Sequence, residues 1–141
     1  MTTYTFTFHE NPPSEDVSVL SQGLTAHALP HTRRPGFKPV AVFLRDQSGT
    51  IVGGVWGQVN WNWLHIGLVW VAESLRRTGY GRQLIAAMED AAKERGCTAA
   101  HLDTFSYQAR PFYESLGYEV FGALDNYPPG HQRFFMKKTL T

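Results

Sequence analysis

The sequence predicts one mixed α/β domain of about seven strands and about three helices. The 141 residues, 43% of them hydrophobic, are enough for a single domain, 1–141, with its own core. Along the chain, segments with the period-2 pattern of a strand alternate with segments that have the helical period. A net charge of +1 gives no case for nucleic acid or a membrane as partner, and no apolar run approaches the length of a membrane span. The lone cysteine, Cys97, excludes a disulfide framework, and residues 1–10 lack the pattern of a secretory signal, so we expect a cytoplasmic protein.

The first third of the chain predicts a strand, a helix and a loop. Residues 4–8 alternate aromatic and threonine side chains, which is a strand pattern, and Pro12 and Pro13 end it. Ser14 then opens a helix through about Ala28, with two acidic residues in its first turn. Residues 30–39 contain three prolines and one glycine and are predicted to form a loop.

The middle of the chain predicts three consecutive strands. Residues 39–44 are an apolar strand, and residues 46–49, Asp-Gln-Ser-Gly, are a hairpin turn. The return strand, residues 50–60, contains Gly53, Gly54 and Gly57, which mark a bulge or a close backbone approach. The central strand, residues 63–71, follows after another short turn.

The last part of the chain alternates helices and strands. Apolar residues from Leu84 to Ala92 fall on one helical face, and Gly96 is a suitable helix-ending residue. The predicted elements in order are a helix over 79–95, a strand over 98–104, a short helix over 108–116, and strands over 118–123 and 133–138.

A basic glycine loop connects the central strand to the long helix. The first turn of a helix has backbone N–H groups without internal partners, and the helix dipole favours anions there. Gly79 and Gly81 lack a Cβ, so a phosphate can approach the backbone closely, and Arg76, Arg77 and Arg82 add positive charge. The glycine spacing alone is weak evidence, since it matches neither the dinucleotide fingerprint nor the P-loop.

Two stretches of the chain resemble the signatures of one family. Residues 71–81, Val-Ala-Glu-Ser-Leu-Arg-Arg-Thr-Gly-Tyr-Gly, resemble the Arg/Gln-x-x-Gly-x-Gly signature of the GNAT family of N-acetyltransferases. Residues 109–118, Ala-Arg-Pro-Phe-Tyr-Glu-Ser-Leu-Gly-Tyr, resemble its second signature. The resemblance implies a mixed sheet with helices on both faces, in which two central parallel strands splay apart and hold acetyl-CoA in the notch between them.

The resemblance also implies which residues bind acetyl-CoA. Backbone groups of the central strand would hold the pantetheine arm like an added strand, and one N–H near Val71 would polarise the thioester. Amides of the glycine loop would bind the pyrophosphate. Ser106 stands where relatives often have an asparagine that contacts the cofactor. The predicted cofactor-binding residues are Val69, Trp70, Val71, Arg76, Arg77, Thr78, Gly79, Tyr80, Gly81, Arg82 and Ser106.

Four residues are candidates for the chemistry of acetyl transfer. Tyr113 matches the tyrosine of the second signature, and a phenol with a pKa of about 10 suits protonation of the leaving thiolate. His101 and His65 are the candidate bases, because a histidine titrates in the right range. Asp103 shares a strand face with His101 and either positions that histidine or binds the ammonium group of the acceptor. A third alternative is that the amine arrives neutral and no base is needed.

These features predict an acetyl-CoA-dependent N-acetyltransferase that acts on a small-molecule amine or a protein amino group by direct attack in a ternary complex. The alternative is a catalytically idle acyl-CoA-binding module with the same fold. The six histidines show no metal-ligand spacing, so no metal is expected. Because the family is frequently dimeric, a homodimer is a further expectation, although nothing in the sequence fixes its interface.

Overall fold

The computed structural model describes residues 3–34 and 36–141, and the chain divides into two compact units, residues 1–35 and 36–141. The second unit contains a six-stranded mixed sheet with strand order β1-β2-β3-β4-β6-β5. Its strands are β1 (Lys38–Arg45), β2 (Ile51–Asn60), β3 (Trp63–Val71), β4 (Ala99–Phe105), β5 (Glu119–Asp125) and β6 (Gln132–Thr139). The helices of the chain are α1 (Ser14–Thr32), α2 (Tyr80–Glu94) and α3 (Arg110–Ser115), and a 3-10 turn covers Glu73–Leu75. The predicted fold class is thereby confirmed, with one strand fewer than expected.

The first unit departs from the sequence prediction in two ways. Residues 4–8 form no strand, and the aromatic side chains of Tyr4, Phe6 and Phe8 are exposed. The prediction was wrong because an alternating pattern becomes a strand only where a neighbouring backbone pairs with it. Helix α1 continues through Pro30 to Thr32, so it takes the first part of the predicted 30–39 loop, in which Pro35 lies outside the described residues.

The β1–β2 hairpin closes as the sequence predicts. A carboxylate oxygen of Asp46 accepts hydrogen bonds from the backbone N–H groups of Ser48 and Thr50, at 2.9 and 3.0 Å. A hydrogen bond from the Ser48 hydroxyl, together with these two backbone bonds, lowers the pKa of Asp46. Gly49 completes the turn with a φ of 88°, a conformation that favours glycine.

A bulge distorts the pairing of β2 with β3. Trp56 pairs with Leu68 and Gly57 with Ile66, so Gly67 is the extra residue. A Cβ on Gly67 would lie 2.9 Å from the Trp56 ring, and one on Gly57 would lie 2.2 Å from a backbone oxygen of β3. Gly57, one of the glycines predicted to mark a close backbone approach, therefore does so. A bulge bends its strand, and this one lies just after the last pair that joins β3 to β4.

The parallel strands β3 and β4 pair over only three residues each. The pairs run from Trp63 with Ala99 to His65 with His101, and no further pair joins the two strands in the described residues. Beyond His65 and His101 the strands separate, which leaves an open notch in the middle of the sheet. The predicted splay of the central strands is thereby confirmed.

Helix α2 fixes the end of the notch through its buried face. Leu84, Ile85, Met88 and Ala92 are buried, and the helix packs on β1, β2 and β3. Burial of the Leu84, Ile85 and Met88 side chains contributes roughly 1.5–3 kcal/mol each. The packing holds the N-terminal end of α2 close behind the end of β3. No helix among the described residues is long and apolar enough to cross a membrane.

Candidate active site

The notch between β3 and β4 widens into a cleft of about 470 Å³. One wall is formed by residues 66–69 of β3 and the other by residues 102–104 of β4. Arg76 lies at one end, while Gln108, Ala109 and Tyr113 line the side that faces α3. The cleft therefore joins the glycine loop, both central strands and the second sequence signature.

The free edge of β3 presents backbone groups to this cleft. The N–H of Ala72 donates to the carbonyl of Val52 on β2 at 2.8 Å. Because successive residues of a strand direct their N–H and C=O groups to opposite edges, Val71 and Val69 direct theirs away from β2, into the notch. Trp70 belongs to the alternate set, whose backbone groups face β2. Of the three predicted pantetheine-binding residues, Val69 and Val71 thus have their backbone groups on the open edge.

The glycine loop leaves a run of backbone N–H groups unused. The first hydrogen bond of α2 is donated by the N–H of Gln83 to the carbonyl of Gly79, at 3.1 Å. Within the described residues, the N–H groups of residues 77–82 have no backbone acceptor, and no side chain caps the helix. Arg77 and Gly79 have φ values of 64° and 91°, which turn the chain from the 3-10 segment into α2. Such a set of free amides at a helix N-terminus attracts an anion.

Side chains of the loop brace it against its surroundings. The Nε of Arg76 donates to the carbonyl of Val71 at 2.9 Å, and the Thr78 hydroxyl donates to the carbonyl of Leu75. Arg82 reaches α3, where it donates to the Ser115 hydroxyl at 3.1 Å. Tyr80 lines a separate hollow of about 400 Å³ near the β1–β2 hairpin, so its side chain is not part of the cleft.

Tyr113 stands in the wall of the cleft on α3. Its ring is buried and contacts Phe112 and Tyr118, with centroids 5.2 and 6.1 Å away. Its hydroxyl has no hydrogen-bond partner among the described residues. Burial raises the pKa of this phenol, so it remains protonated and can donate at neutral pH.

The two candidate bases lie together at the closed end of the notch. His65 and His101 are directly paired across β3 and β4, and their rings stack with centroids 4.7 Å apart. Burial and the neighbouring His65 lower the pKa of His101, and Asp103 partly opposes this. His101 is therefore neutral at neutral pH. Neither histidine lines the cleft itself, but each directly precedes a residue that does.

Asp103 lines the cleft and is held by a residue that the sequence did not single out. One carboxylate oxygen accepts a hydrogen bond from the Nε of Arg133 on β6 at 2.8 Å. The pKa of the Arg133 guanidinium is raised, chiefly by this bond. Arg133 also donates to the Tyr127 hydroxyl at 2.9 Å. Asp103 and Arg133 are 30 positions apart in the chain, so no local pattern could have indicated the pair.

Ser106 lies away from the cleft lining. Its hydroxyl accepts the N–H of Gln132 at 3.0 Å and lies 3.3 Å from Nδ1 of His131, so it holds the β5–β6 loop. The polar group that lines the cleft nearby is Gln108, whose carbonyl oxygen accepts the N–H of Phe105 at 2.9 Å and the Thr104 hydroxyl at 3.2 Å. Sequence reasoning missed Gln108 because the residue stands just before a helix and its partners precede it on β4.

No group of three or more His, Cys, Asp or Glu residues in the described part of the chain is placed to hold a metal ion. Cys97 is buried, as expected for a small apolar residue. The polar side chains that line the cleft are those of Arg76, Asp103, Thr104, Gln108 and Tyr113, and they lie beside the backbone edge of β3.

Comparison with known proteins identifies the family. Residues 6–118 match the model of the acetyltransferase (GNAT) family. Blasticidin-S acetyltransferase of Streptomyces morookaense is 37% identical over 101 residues, which cover 71% of this chain and 74% of that protein. An acetyltransferase of Agrobacterium fabrum is 26% identical over 133 residues, or 94% and 97% of the two chains. The crystal structure of an acetyltransferase from Bacillus cereus has a TM-score of 0.83 at 33% identity and covers 95% of this chain and 98% of its own. This chain therefore belongs to the GNAT family of acetyltransferases and is an acyltransferase.

Proposed function

We propose that the protein transfers an acetyl group from acetyl-CoA to the amine of a small molecule, by direct attack within a ternary complex. The observation that carries this proposal is the continuity of the open β3 edge with the free amides at the start of α2. The relative named blasticidin-S acetyltransferase supports a small-molecule acceptor. The family match over residues 6–118 crosses the boundary between the two compact units, which supports one acetyltransferase domain over 1–141.

The residues present suit the chemistry of acetyl-CoA. A pantetheine arm carries amide groups, which the exposed N–H and C=O groups of Val69 would bind as a neighbouring strand does. The pyrophosphate is an anion, which the amides of residues 77–82 and the charges of Arg76, Arg77 and Arg82 would attract. A Cβ at Gly79 would meet no protein atom within 4 Å, so the space before the loop is open.

The thioester supplies an acetyl group that an amine can attack without a covalent enzyme intermediate. The walls of the cleft would hold the amine nitrogen against the carbonyl carbon, and such alignment can supply roughly 7–11 kcal/mol of the barrier. The N–H of Val71 would donate to the carbonyl oxygen as negative charge develops there. As the C–N bond forms and the C–S bond breaks, Tyr113 would give its proton to the departing sulfur.

The second proton transfer removes the proton that the attacking nitrogen loses. His101, neutral because of burial, would accept it, directly or through water at the closed end of the notch. His65 stacks on His101 and would shape its titration, while the Asp103 carboxylate would accept a hydrogen bond from the amine and orient it. Asp103 and Tyr113 would act from the lining of the cleft, and the two histidines from behind its closed end.

A binding and turnover assay tests this proposal. Acetyl-CoA is expected to raise the melting temperature. At a concentration 100 times its dissociation constant, the free energy of unfolding is expected to rise by about 2.7 kcal/mol. A panel of small amines, assayed by the release of free thiol, is then expected to include acceptors that are acetylated at the amine, as mass spectrometry would establish. Binding of acetyl-CoA without turnover on a broad panel would instead support the idle module.

A further inference from the structure

We infer that Arg133 is a positioning residue that neutralises Asp103, so that the carboxylate orients the acceptor amine without holding it as an ammonium ion. This inference rests on the proposed function, because it concerns the amine that the same cleft would bind. It concerns a residue that lies on β6, outside both sequence signatures.

The geometry fixes which carboxylate oxygen is used. Asp103 pairs with Phe135 across β4 and β6, and Phe105 pairs with Arg133, so Asp103 and Arg133 are diagonal neighbours on one sheet face. The contact is a single hydrogen bond from Nε of Arg133 to Oδ2 of Asp103 at 2.8 Å. The side chains of Arg133 and Asp103 are 26% and 23% exposed. The other oxygen, Oδ1, has no partner among the described residues. It is the oxygen that an amine in the cleft could use.

Arg133 is itself held in place on several sides. The guanidinium carbon lies 5.5, 5.1 and 5.2 Å from the ring centroids of Phe105, Tyr127 and Phe135. A second nitrogen donates to the Tyr127 hydroxyl at 2.9 Å. Cation–π contacts of this kind restrain the guanidinium beside the rings. The positive charge therefore stays next to Asp103 whether or not an acceptor is bound.

The consequence for acetyl transfer follows from electrostatics. An unpaired carboxylate within about 4–6 Å raises the pKa of an amine by about 1–3 units, which removes the neutral nucleophile. A guanidinium that shares the carboxylate opposes this shift. The other titratable or charged groups near Asp103 lie on every element around it. They are His101 on the same face of β4, His65 stacked on it, Lys137 paired with His101 on β6, Tyr127 bonded to Arg133, and Tyr113 and Arg76 along the cleft.

The test is the pH dependence of kcat, measured at saturating acceptor and acetyl-CoA, for two acceptors whose amines differ in pKa, because kcat reports the ionisation of the bound amine. In the unsubstituted protein, the inflection (limb) of the pH–rate profile that reports amine deprotonation lies at a different pH for each acceptor. A limb due to His101 lies at the same pH for both. Arg133→Gln is expected to move the acceptor-dependent limb to higher pH by about 1 unit, which lowers the rate below the limb about 10-fold. Calorimetry is expected to find the affinity of the Arg133→Gln variant for coenzyme A unchanged.

Three further variants complete the test. Arg133→Lys keeps the charge and Tyr127→Phe keeps the ion pair, so both are expected to leave the limb in place. Asp103→Asn is expected to move it to lower pH, which gives a second reading if Arg133→Gln does not fold. If Arg133→Gln or Asp103→Asn folds, acetylates the acceptor and leaves the limb unmoved, the role of Arg133 is overturned and the proposed function stands. Absence of turnover in the unsubstituted protein would overturn the proposed function, and this inference with it.

Discussion

His65 and His101 stack with ring centroids 4.7 Å apart across the last residue pair that joins β3 to β4. The same pair marks the point where the central strands separate and the cleft begins. Two stacked imidazoles resist simultaneous protonation, because each cation destabilises the other. The position of the pair thus links the shape of the sheet to the protonation state of the candidate base.

Replacement of His65 by glutamine is expected to raise the pKa of His101 towards its ordinary value of 6.5, because one of the causes that lower it is removed. Nuclear magnetic resonance titration of the imidazole proton signals measures this shift. An unchanged or lower pKa for His101 would contradict the assigned coupling.

The lowered pKa of His101 also predicts how stability depends on pH. The unfolded chain takes up a proton near pH 6.5, whereas the folded protein resists it, so the unfolded state binds more protons between the two pKa values. The free energy of unfolding is therefore expected to fall as the pH drops from above 6.5 through the pKa of the folded protein. His101→Gln is expected to flatten this slope in thermal melts, and an equally steep slope in that variant would refute the prediction.

Tyr113→Phe is expected to lower kcat by about 100-fold, the lower end of what positioned proton donors contribute, with little change in the affinity for coenzyme A. Tyr118→Phe is a matched control in which the ring contact with Tyr113 is kept. The Tyr118 hydroxyl donates to the Glu89 carboxylate at 2.7 Å, so its loss is expected to cost about 1.5–3 kcal/mol of stability and to leave kcat unchanged. Equal losses of kcat in the two variants would show that Tyr113 is only a packing residue.

Gly79→Ala is expected to weaken coenzyme A binding because the residue has a φ of 91°, which an alanine adopts at a cost of about 1 kcal/mol. Gly49→Ala is the control, since Gly49 has a φ of 88° and, like Gly79, no atom within 4 Å of an added Cβ. Both variants are expected to lose similar stability in denaturant titrations. Only Gly79→Ala is expected to raise the dissociation constant for coenzyme A, and parallel behaviour of the two variants in calorimetry would argue against the loop as the phosphate site.

Glu89→Gln is expected to destabilise the protein by about 2 kcal/mol, less than the roughly 3–5 kcal/mol that fully buried ion pairs lose. The carboxylate of Glu89 accepts hydrogen bonds from the Lys138 ammonium, at 2.9 Å, and from the Tyr118 hydroxyl. It thereby joins α2 to β6. The neighbouring Asp90 forms an exposed pair with Lys93, so Asp90→Asn is expected to cost less than about 1 kcal/mol. Urea unfolding of the two variants measures the difference, and a similar cost for both would contradict the buried network.

The parts of the fold that the sequence predicts are those whose cause is local. The hairpin at Asp46, the buried face of α2 and the glycine that ends it all depend on residues a few positions apart, and each is found in the structure. The segment 4–8 has an equally clear local pattern, but the partner that a strand requires is not encoded within it. The pattern is therefore necessary for a strand and not sufficient.

The candidate site divides in the same way. The glycine loop and Tyr113 could be located from two short motifs, because the backbone of a strand–loop–helix segment needs few specific residues. The Asp103–Arg133 pair could not, since it depends on the register of β4 with β6. Gln108 lines the cleft where Ser106 was predicted to, because the β5–β6 loop folds back onto Ser106 and uses its hydroxyl.

The central claim is that backbone amides at the end of β3 and the start of α2 bind the coenzyme. Backbone amide nuclear magnetic resonance spectra recorded during a titration with coenzyme A test it most directly. We expect the largest shifts at Val69, Val71 and residues 77–82, with little change at the matched turn residue Gly49. Shifts confined to other surfaces, or no shifts at millimolar coenzyme A, would contradict the account.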